Sequence, residues 1–393
     1  MIRMTGLKKL AGKWGELLRH RRLYRTLRRH LASMPVGLPP TATGVERRLL
    51  SAFFRPDEAR LALSMTWRFE EAGAIAARAV RSGFTVPEVE GHLAGMERHG
   101  SVLAREREGK RQYALAPFVI GMYEMQVSRL TPGMYLDTRE YFLSGYALEY
   151  LTTARPQFRV IPVEKSVTPE HGVATYDEIR SILEQAGGRI GVAPCICKKG
   201  RDQLGEPCRV TDAREVCFVL NDSYDQYSRH GWARGISLPE ALSLLDLCEK
   251  DGLVLQPSNM REPEFICACC KCCCGIMEVF AAVPRPSDYV ASNYRVQVDA
   301  GLCNGCGRCV KRCQMDALAV VDKKAVLEEV RCIGCGLCVT TCSRKALRLE
   351  KRTPETVPPR DHEALYGAIW KGKKSAPGRL LRGLKGLAGF RRR

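Results

Sequence analysis

The chain has 393 residues, enough for two to four domains, each with its own hydrophobic core. Its 19 cysteines would indicate a disulfide framework in a short secreted protein, but the chain is long and opens without an apolar signal segment, so we expect a reducing cytoplasm. No stretch reaches the roughly 18 uncharged apolar residues that a membrane-spanning helix needs, and we expect no such helix.

The formal net charge of +19 lies almost entirely at the two ends of the sequence. Residues 1–33 hold ten Lys and Arg against one Glu, and residues 371–393 hold nine Lys and Arg and no acid. The segment between them is nearly neutral. The charge is therefore a property of the terminal segments and not a nucleic-acid footprint of the whole chain.

Residues 1–33 form a basic amphipathic helical pattern, and a segment with three prolines and a glycine at 34–40 ends it and forms a linker. Together with the basic tail at 352–393, this helix suits the anionic inner face of a membrane, where we expect peripheral association. An acidic partner protein, nucleic acid and simple solvation are the alternatives. The apolar stripe comprises Leu7, Leu10, Trp14, Leu17, Leu18, Tyr24, Leu27 and Leu31.

Residues 45–125 read as short helices followed by a hairpin. A capping box of Thr85 and Glu88 predicts the start of a helix, and a turn at Glu108-Gly109 joins two predicted strands. This order resembles a winged helix-turn-helix domain. The range holds twelve basic and eleven acidic residues, and an excess of positive charge is what DNA binding requires. We therefore expect a docking or structural role ahead of DNA binding.

Residues 155–285 form a mixed α/β region with eleven cysteines, too many for packing alone in a reducing compartment. Cys248 is expected in the core, on the apolar face of a helix. The six cysteines of 267–274 cannot all bind one metal if the chain there is extended, because neighbouring side chains alternate between faces. A third iron–sulfur cluster, zinc and thiols without metal remain alternatives. The candidate ligands are Cys195, Cys197, Cys208, Cys217, Cys267, Cys269 and Cys270.

Residues 296–351 contain the spacing C-x2-C-x2-C-x3-C twice, with an offset of 29 residues. Three thiolates on one tight loop can reach three irons of a cubane, and the fourth iron takes a ligand from elsewhere. Glycines at 305, 307, 334 and 336 allow the loop a positive φ and aim backbone N–H groups at sulfur. Zinc, which normally takes two separated C-x2-C pairs, is the weaker alternative.

These motifs resemble a bacterial ferredoxin with two 4Fe-4S clusters. The proline that usually follows each fourth cysteine is replaced by Gln314 and Ser343. Residues 45–350 further resemble 4Fe-4S binding proteins of anaerobes, through the segments 117–124 and 160–164 and the cysteine-rich stretch. The ferredoxin resemblance implies crossed ligand sets: Cys303, Cys306, Cys309 and Cys342 for cluster I, and Cys332, Cys335, Cys338 and Cys313 for cluster II.

The expected architecture is α+β and multidomain, with a winged-helix-like N-terminal domain, a cysteine-rich middle region and a ferredoxin-like dicluster module. No nucleotide-binding glycine fingerprint, P-loop or catalytic triad is recognisable, so we expect no catalytic residues and a need for redox partner proteins as electron donor and acceptor. The leading hypothesis is an electron carrier or relay subunit. A redox-sensing regulator acting through the winged helix, and an oxidoreductase using the middle cysteines, are the alternatives.

Overall fold

The computed structural model describes residues 18–153, 155–167 and 174–373. The chain divides into two compact units, one formed by residues 1–126 with 133–146 and the other by residues 127–132 with 147–393. Each unit combines helices with antiparallel strands. Within the described ranges, no helix is both long and apolar enough to cross a membrane.

The first unit packs helices beside a small sheet of three antiparallel strands in the order β1-β3-β2. The predicted capping box at Thr85 and the predicted hairpin turn are both present, with Glu108 and Gly109 at φ 54° and 72°. The elements are α1 (18–32), α2 (Val45–Phe53), α3 (Pro56–Ala62), β1 (Glu70–Glu71), α4 (Ala72–Ala79), α5 (Val86–Arg98), β2 (Val102–Arg107), β3 (Lys110–Leu115) and α6 (Pro132–Tyr141).

The apolar face of α1 is covered by its own unit. Tyr24, Leu27 and Leu31 are buried, and the Tyr24 hydroxyl donates to the carbonyl of Phe54 at 2.7 Å. This part of the predicted stripe is therefore core and is not available to a membrane. Leu18 is exposed, and the stripe residues Leu7, Leu10, Trp14 and Leu17 lie outside the described residues.

The second unit contains a five-stranded antiparallel sheet in the order β6-β4-β5-β8-β7. The register places Cys217 of β5 opposite Cys267 of β8, so these side chains share one face of the sheet. Its elements up to residue 282 are α7 (Ala147–Thr152), α8 (Ile179–Gln185), β4 (Ile190–Pro194), α9 (Ile196–Gln203), β5 (Glu215–Leu220), α10 (Asn221–Arg229), β6 (Arg234–Gly235), α11 (Leu238–Asp251), β7 (Val254–Pro257), β8 (Phe265–Cys269) and α12 (Gly275–Ala282).

The segment 160–164 makes only isolated backbone contacts. The Ile161 amide donates to the carbonyl of Leu255, and the Val163 amide donates to the carbonyl of Cys335 at 3.1 Å. The Val160 amide also donates to the carbonyl of Ala291 at 2.8 Å. Because the segment contacts three partners in turn, it does not extend the sheet. Its contact with Cys335 holds the chain against the second cysteine loop.

The C-terminal module surrounds its two cysteine loops with short strands. β9 pairs with β12 and β10 pairs with β11, both antiparallel, around a core that includes Val296, Leu318 and Leu347. A final helix follows and buries Leu365 and Ile369. The elements are β9 (Tyr294–Val298), α13 (Arg308–Arg312), β10 (Leu318–Val321), β11 (Lys324–Leu327), α14 (Leu337–Thr340), β12 (Leu347–Lys351) and α15 (His362–Lys371).

Candidate metal centres

Each cysteine loop of the C-terminal module passes through two glycines with positive φ. Gly305 and Gly334 have φ of 71° and 72°, and a Cβ at these positions would lie 2.4 Å from the carbonyl oxygen of Lys323 and 2.2 Å from that of Tyr294. Both backbone conformation and space therefore require glycine. Gly307 and Gly336, also at positive φ, precede α13 and α14.

Backbone amides point at the thiols. Cys303 Sγ accepts from the amides of Gly305 at 3.4 Å and Ala325 at 3.2 Å, and these bonds lower the pKa of Cys303. The fourth cysteine of each motif accepts from the alanine four residues later, Cys313 from Ala317 and Cys342 from Ala346, both at 3.3 Å. Each motif thus has an alanine at the equivalent position, and its backbone N–H group stabilises negative charge on the sulfur.

Two small cavities lie beside the loops, each of about 20 Å³. Each is lined by three cysteines from one motif and the fourth cysteine of the other motif. The first contains Cys313, Cys332, Cys335 and Cys338, and the second contains Cys303, Cys306, Cys309 and Cys342.

The two cavities differ in depth. Cys332 and Cys338 are buried, and burial raises the pKa of Cys335 to about 12. Cys306, beside the other cavity, is exposed. The cavity with Cys303 and Cys306 is therefore the one closer to the surface of this unit.

Gln314, which replaces the usual proline, connects the module to the middle region. Its side chain accepts from the Lys271 amide at 3.1 Å and donates to the carbonyl of Gly252 at 3.0 Å. The Lys271 ammonium also pairs with Asp316 at 2.7 Å. Proline could make neither side-chain bond, so the departure from the ferredoxin pattern has a structural reason.

Four thiols of the middle region converge. The Sγ atoms of Cys208, Cys270, Cys272 and Cys273 all lie within 4.8 Å of one another. The Sγ of Cys208 is 3.6 Å from that of Cys270 and 3.8 Å from that of Cys272, and Cys272 is 3.4 Å from Cys270 and 3.6 Å from Cys273. We call these four residues the compact thiol group.

A turn brings neighbouring cysteines together. The Cys273 and Cys274 amides both donate to the carbonyl of Cys270, so the chain is not extended there. Cys272 and Cys273 therefore face one site, although alternation along an extended chain would separate them. Neither residue is among the predicted ligands, because the prediction took the chain there to be extended.

A second set of thiols is more spread out, and we call it the extended thiol group. Cys197 contacts Cys195 and Cys274, and Cys274 contacts Cys269, which also contacts Cys267. Cys195 precedes α9 and Cys274 precedes α12, so two helix starts bring thiols together. Contact with Cys197 lowers the pKa of Cys195 to about 6.

Lys198 is buried between the two thiol groups. Its ammonium donates to the carbonyl of Ala268 at 3.4 Å. Burial lowers its pKa, but the charges of Cys195, Cys270, Cys269 and Cys208 more than offset this and leave the pKa raised. The negative charges of cysteines from both groups therefore act on one buried ammonium.

The remaining candidate, Cys217, is buried opposite Cys267 and is not among the compact four. Cys208 and Cys270 of the predicted set belong to the compact group, whereas Cys195, Cys197, Cys267 and Cys269 belong to the extended group. Cys248 lies in the core as predicted, and burial raises its pKa to about 12.

Paired four-thiol cavities with backbone N–H groups directed at sulfur define an iron–sulfur protein with a general electron-transfer role. The comparison with protein families agrees with this class: residues 302–347 match the family model described as a 4Fe-4S dicluster domain. No curated protein and no solved structure matches the chain.

Proposed function

We propose that the protein relays single electrons through two 4Fe-4S clusters in its C-terminal module. The observation that supports this most directly is the pair of cavities, each lined by three cysteines of one motif and the fourth of the other. Cys303, Cys306, Cys309 and Cys342 would hold cluster I, and Cys332, Cys335, Cys338 and Cys313 would hold cluster II. A bound cluster supplies a one-electron redox couple.

The chain's own groups tune and protect these sites. The amides of Ala317 and Ala346 donate to sulfur and favour the more negative state. Arg331, next to Cys332, is buried and donates to the carbonyls of Met315 and Ala281 at 2.7 and 3.0 Å. It adds positive charge at the wall of the deeper cavity and fixes the loop against α12.

The test is an iron and sulfide count on anaerobically purified full-length protein, followed by paramagnetic resonance after dithionite reduction. Two cubanes correspond to about 8 irons per chain and two interacting S = ½ signals. Stoichiometric zinc in the module, with no paramagnetic signal on reduction, would contradict the proposal.

A third iron–sulfur cluster belongs to the same proposal, with the extended thiol group as its site. Cys195, Cys197, Cys269 and Cys274 are linked by contacts and flanked by Lys198. Cluster thiolates each bind a different iron, which suits ligands that are not all mutual neighbours. The total would rise to about 12 irons per chain, and Cys274→Ser would lower it by about 4.

The partners we propose are redox proteins, one supplying and one accepting electrons, with exchange at cluster I because Cys306 is exposed. The chain would act as a carrier or as a subunit of a redox complex. Crosslinking of the reduced protein to its redox partners, before and after removal of the clusters, tests this arrangement. We expect that only substitutions of surface residues around Cys306 abolish the crosslinked product.

Redox-sensitive DNA binding by the first unit is the second candidate. The order of α4, α5 and the sheet β1-β3-β2 favours a winged-helix interpretation. However, basic side chains of the hairpin have acidic neighbours, Lys110 with Glu71 at 3.1 Å and Arg111 with Glu97. Operator binding that changes with cluster oxidation would move this candidate to first place.

Peripheral membrane association is proposed for the basic ends alone, because α1 buries its apolar face. Full-length protein should sediment with phosphatidylserine vesicles at low salt, and removal of residues 374–393 should weaken this, since each basic side chain contributes about 1 kcal/mol. Absence of binding even at low salt would end the proposal.

A further inference from the structure

The compact thiol group has the dimensions of a site for one metal ion. A tetrahedral ion with sulfur ligands at about 2.3 Å holds those sulfurs about 3.8 Å apart. Four of the six Sγ–Sγ distances among Cys208, Cys270, Cys272 and Cys273 are 3.4 to 3.8 Å, and all six are within 4.8 Å. These thiols thus already stand at the spacing of ligands on a single centre.

A cubane requires a wider arrangement, because its thiolates bind different irons that are joined through sulfide. The C-terminal module provides an internal comparison. Its eight cysteines line the two cavities, yet they form no group of three within 4.8 Å, and in the described part of the chain the compact thiol group is the one that does. The two kinds of site therefore differ in size within one structure.

We propose that the compact thiol group binds one tetrahedral divalent ion of the zinc class, separate from the iron–sulfur clusters. Soft thiolate ligands select zinc over hard cations, and four protein ligands close the coordination sphere. The site is structural, since no position is left for substrate or water. Binding exchanges thiol protons for the ion and leaves four negative thiolates around two positive charges.

Lys198 balances part of that excess negative charge. Its ammonium is buried and faces Cys208 and Cys270. An uncompensated cation buried at this depth would be costly, whereas beside a tetrathiolate centre it offsets the net charge.

The ion would hold two distant parts of the second unit together. Cys208 lies between α9 and β5, whereas Cys270, Cys272 and Cys273 lie in the turn before α12. The same turn contains Lys271, which contacts Gln314 of the C-terminal module. The zinc site therefore fixes the surface on which the module rests.

The experiment measures zinc and iron in full-length, anaerobically purified protein and records zinc-edge X-ray absorption. We expect about one zinc per chain, with four sulfur neighbours at about 2.3 Å. The double variant Cys208→Ser/Cys272→Ser should lose the zinc and keep its iron. Cys248→Ser, which removes a buried thiol of the core, is the matched control and should keep both metals.

If wild-type protein is expressed in medium that contains zinc and the purified protein holds no zinc, the proposal is overturned. This result does not depend on whether the double variant folds. Nitrogen or oxygen neighbours in the absorption spectrum overturn it as well. Loss of iron, with zinc unaffected, from the double variant would assign the compact group to a cluster. Replacement of zinc by Co²⁺ should give the visible bands of tetrahedral cobalt thiolate, and their absence counts against the site.

Discussion

The C-terminal module and the middle region both collect thiols, but by different routes. In the module, three ligands of each cavity come from one loop of eight residues or fewer, and glycines with positive φ shape that loop. In the middle region, a cysteine between α9 and β5 meets a turn more than sixty residues later, since Cys208 and Cys270 are 62 apart. Local spacing defines the first kind of site, and tertiary structure defines the second.

The difference matters for how each site tolerates change. A local loop keeps most of its ligands together even when the surrounding structure is disturbed. A site assembled from distant segments depends on the register of β5 with β8 and on the turn at 270–273. We therefore expect the module to retain its clusters under conditions that release metal from the middle region.

The largest expected effect comes from the cysteines that link the two motifs. Cys342→Ala should abolish cluster I and leave cluster II, and Cys313→Ala should do the reverse, because each serves the cavity of the other motif. Iron content and paramagnetic resonance of the two variants measure this. If Cys342→Ala removed cluster II instead, the crossed assignment would be wrong.

The substitution Gly334→Ala should have the second-largest effect on iron content. A positive φ costs an alanine about 1–2 kcal/mol, and its Cβ would also lie 2.2 Å from the carbonyl oxygen of Tyr294. The second loop should open and lose iron. Gly307→Ala is the matched control, with φ 73° but its nearest neighbour 4.0 Å away. Equal losses in the two variants would show that backbone conformation alone matters.

Lys198→Met tests the buried charge between the two thiol groups. Removing a counter-charge next to metal ligands should weaken zinc binding by about tenfold or more, while methionine keeps most of the side-chain volume. Competition with a zinc chelator measures the affinity. Lys198→Arg, which retains the charge, should preserve more of the affinity than methionine does, and the opposite order would refute a charge effect.

The smallest effect is expected from Gln314→Pro, which restores the residue usual in ferredoxins. It removes the bonds to the Lys271 amide and the Gly252 carbonyl, worth about 1 kcal/mol each, while both clusters stay in place. Chemical denaturation measures the free energy of unfolding. Ser343 is the equivalent residue of the second motif and is exposed, so Ser343→Pro should change the free energy of unfolding little. If Ser343→Pro lowered that free energy more than Gln314→Pro does, Gln314 would have no special role.

Sequence patterns were sufficient wherever one short segment determines the structure. The helix start at Thr85, the hairpin turn at Gly109, the glycine conformations of the cysteine loops and the core position of Cys248 are all local, and each is as predicted. Their causes are backbone conformation, capping and helical periodicity, which act within a few residues.

The remaining features required tertiary information. The periodicity of α1 showed an apolar face but not that Tyr24, Leu27 and Leu31 on it are buried within the first unit. Cys272 and Cys273 were missed because a turn, and not an extended strand, carries them. The division of the middle thiols into two groups depends on strand register and on two helix starts, neither of which is encoded by cysteine spacing.

The contact made by Gln314 bears on how this protein can be rebuilt. A chimaera that replaces residues 296–351 with a free-standing ferredoxin sequence would carry proline at that position. It would keep its cysteine loops but lose the bonds that align the module with the 270–273 turn. Interchangeability of this domain is thus limited by side chains outside the cysteine ligands, Gln314 and Asp316 among them, and a working graft has to bring these contacts with it.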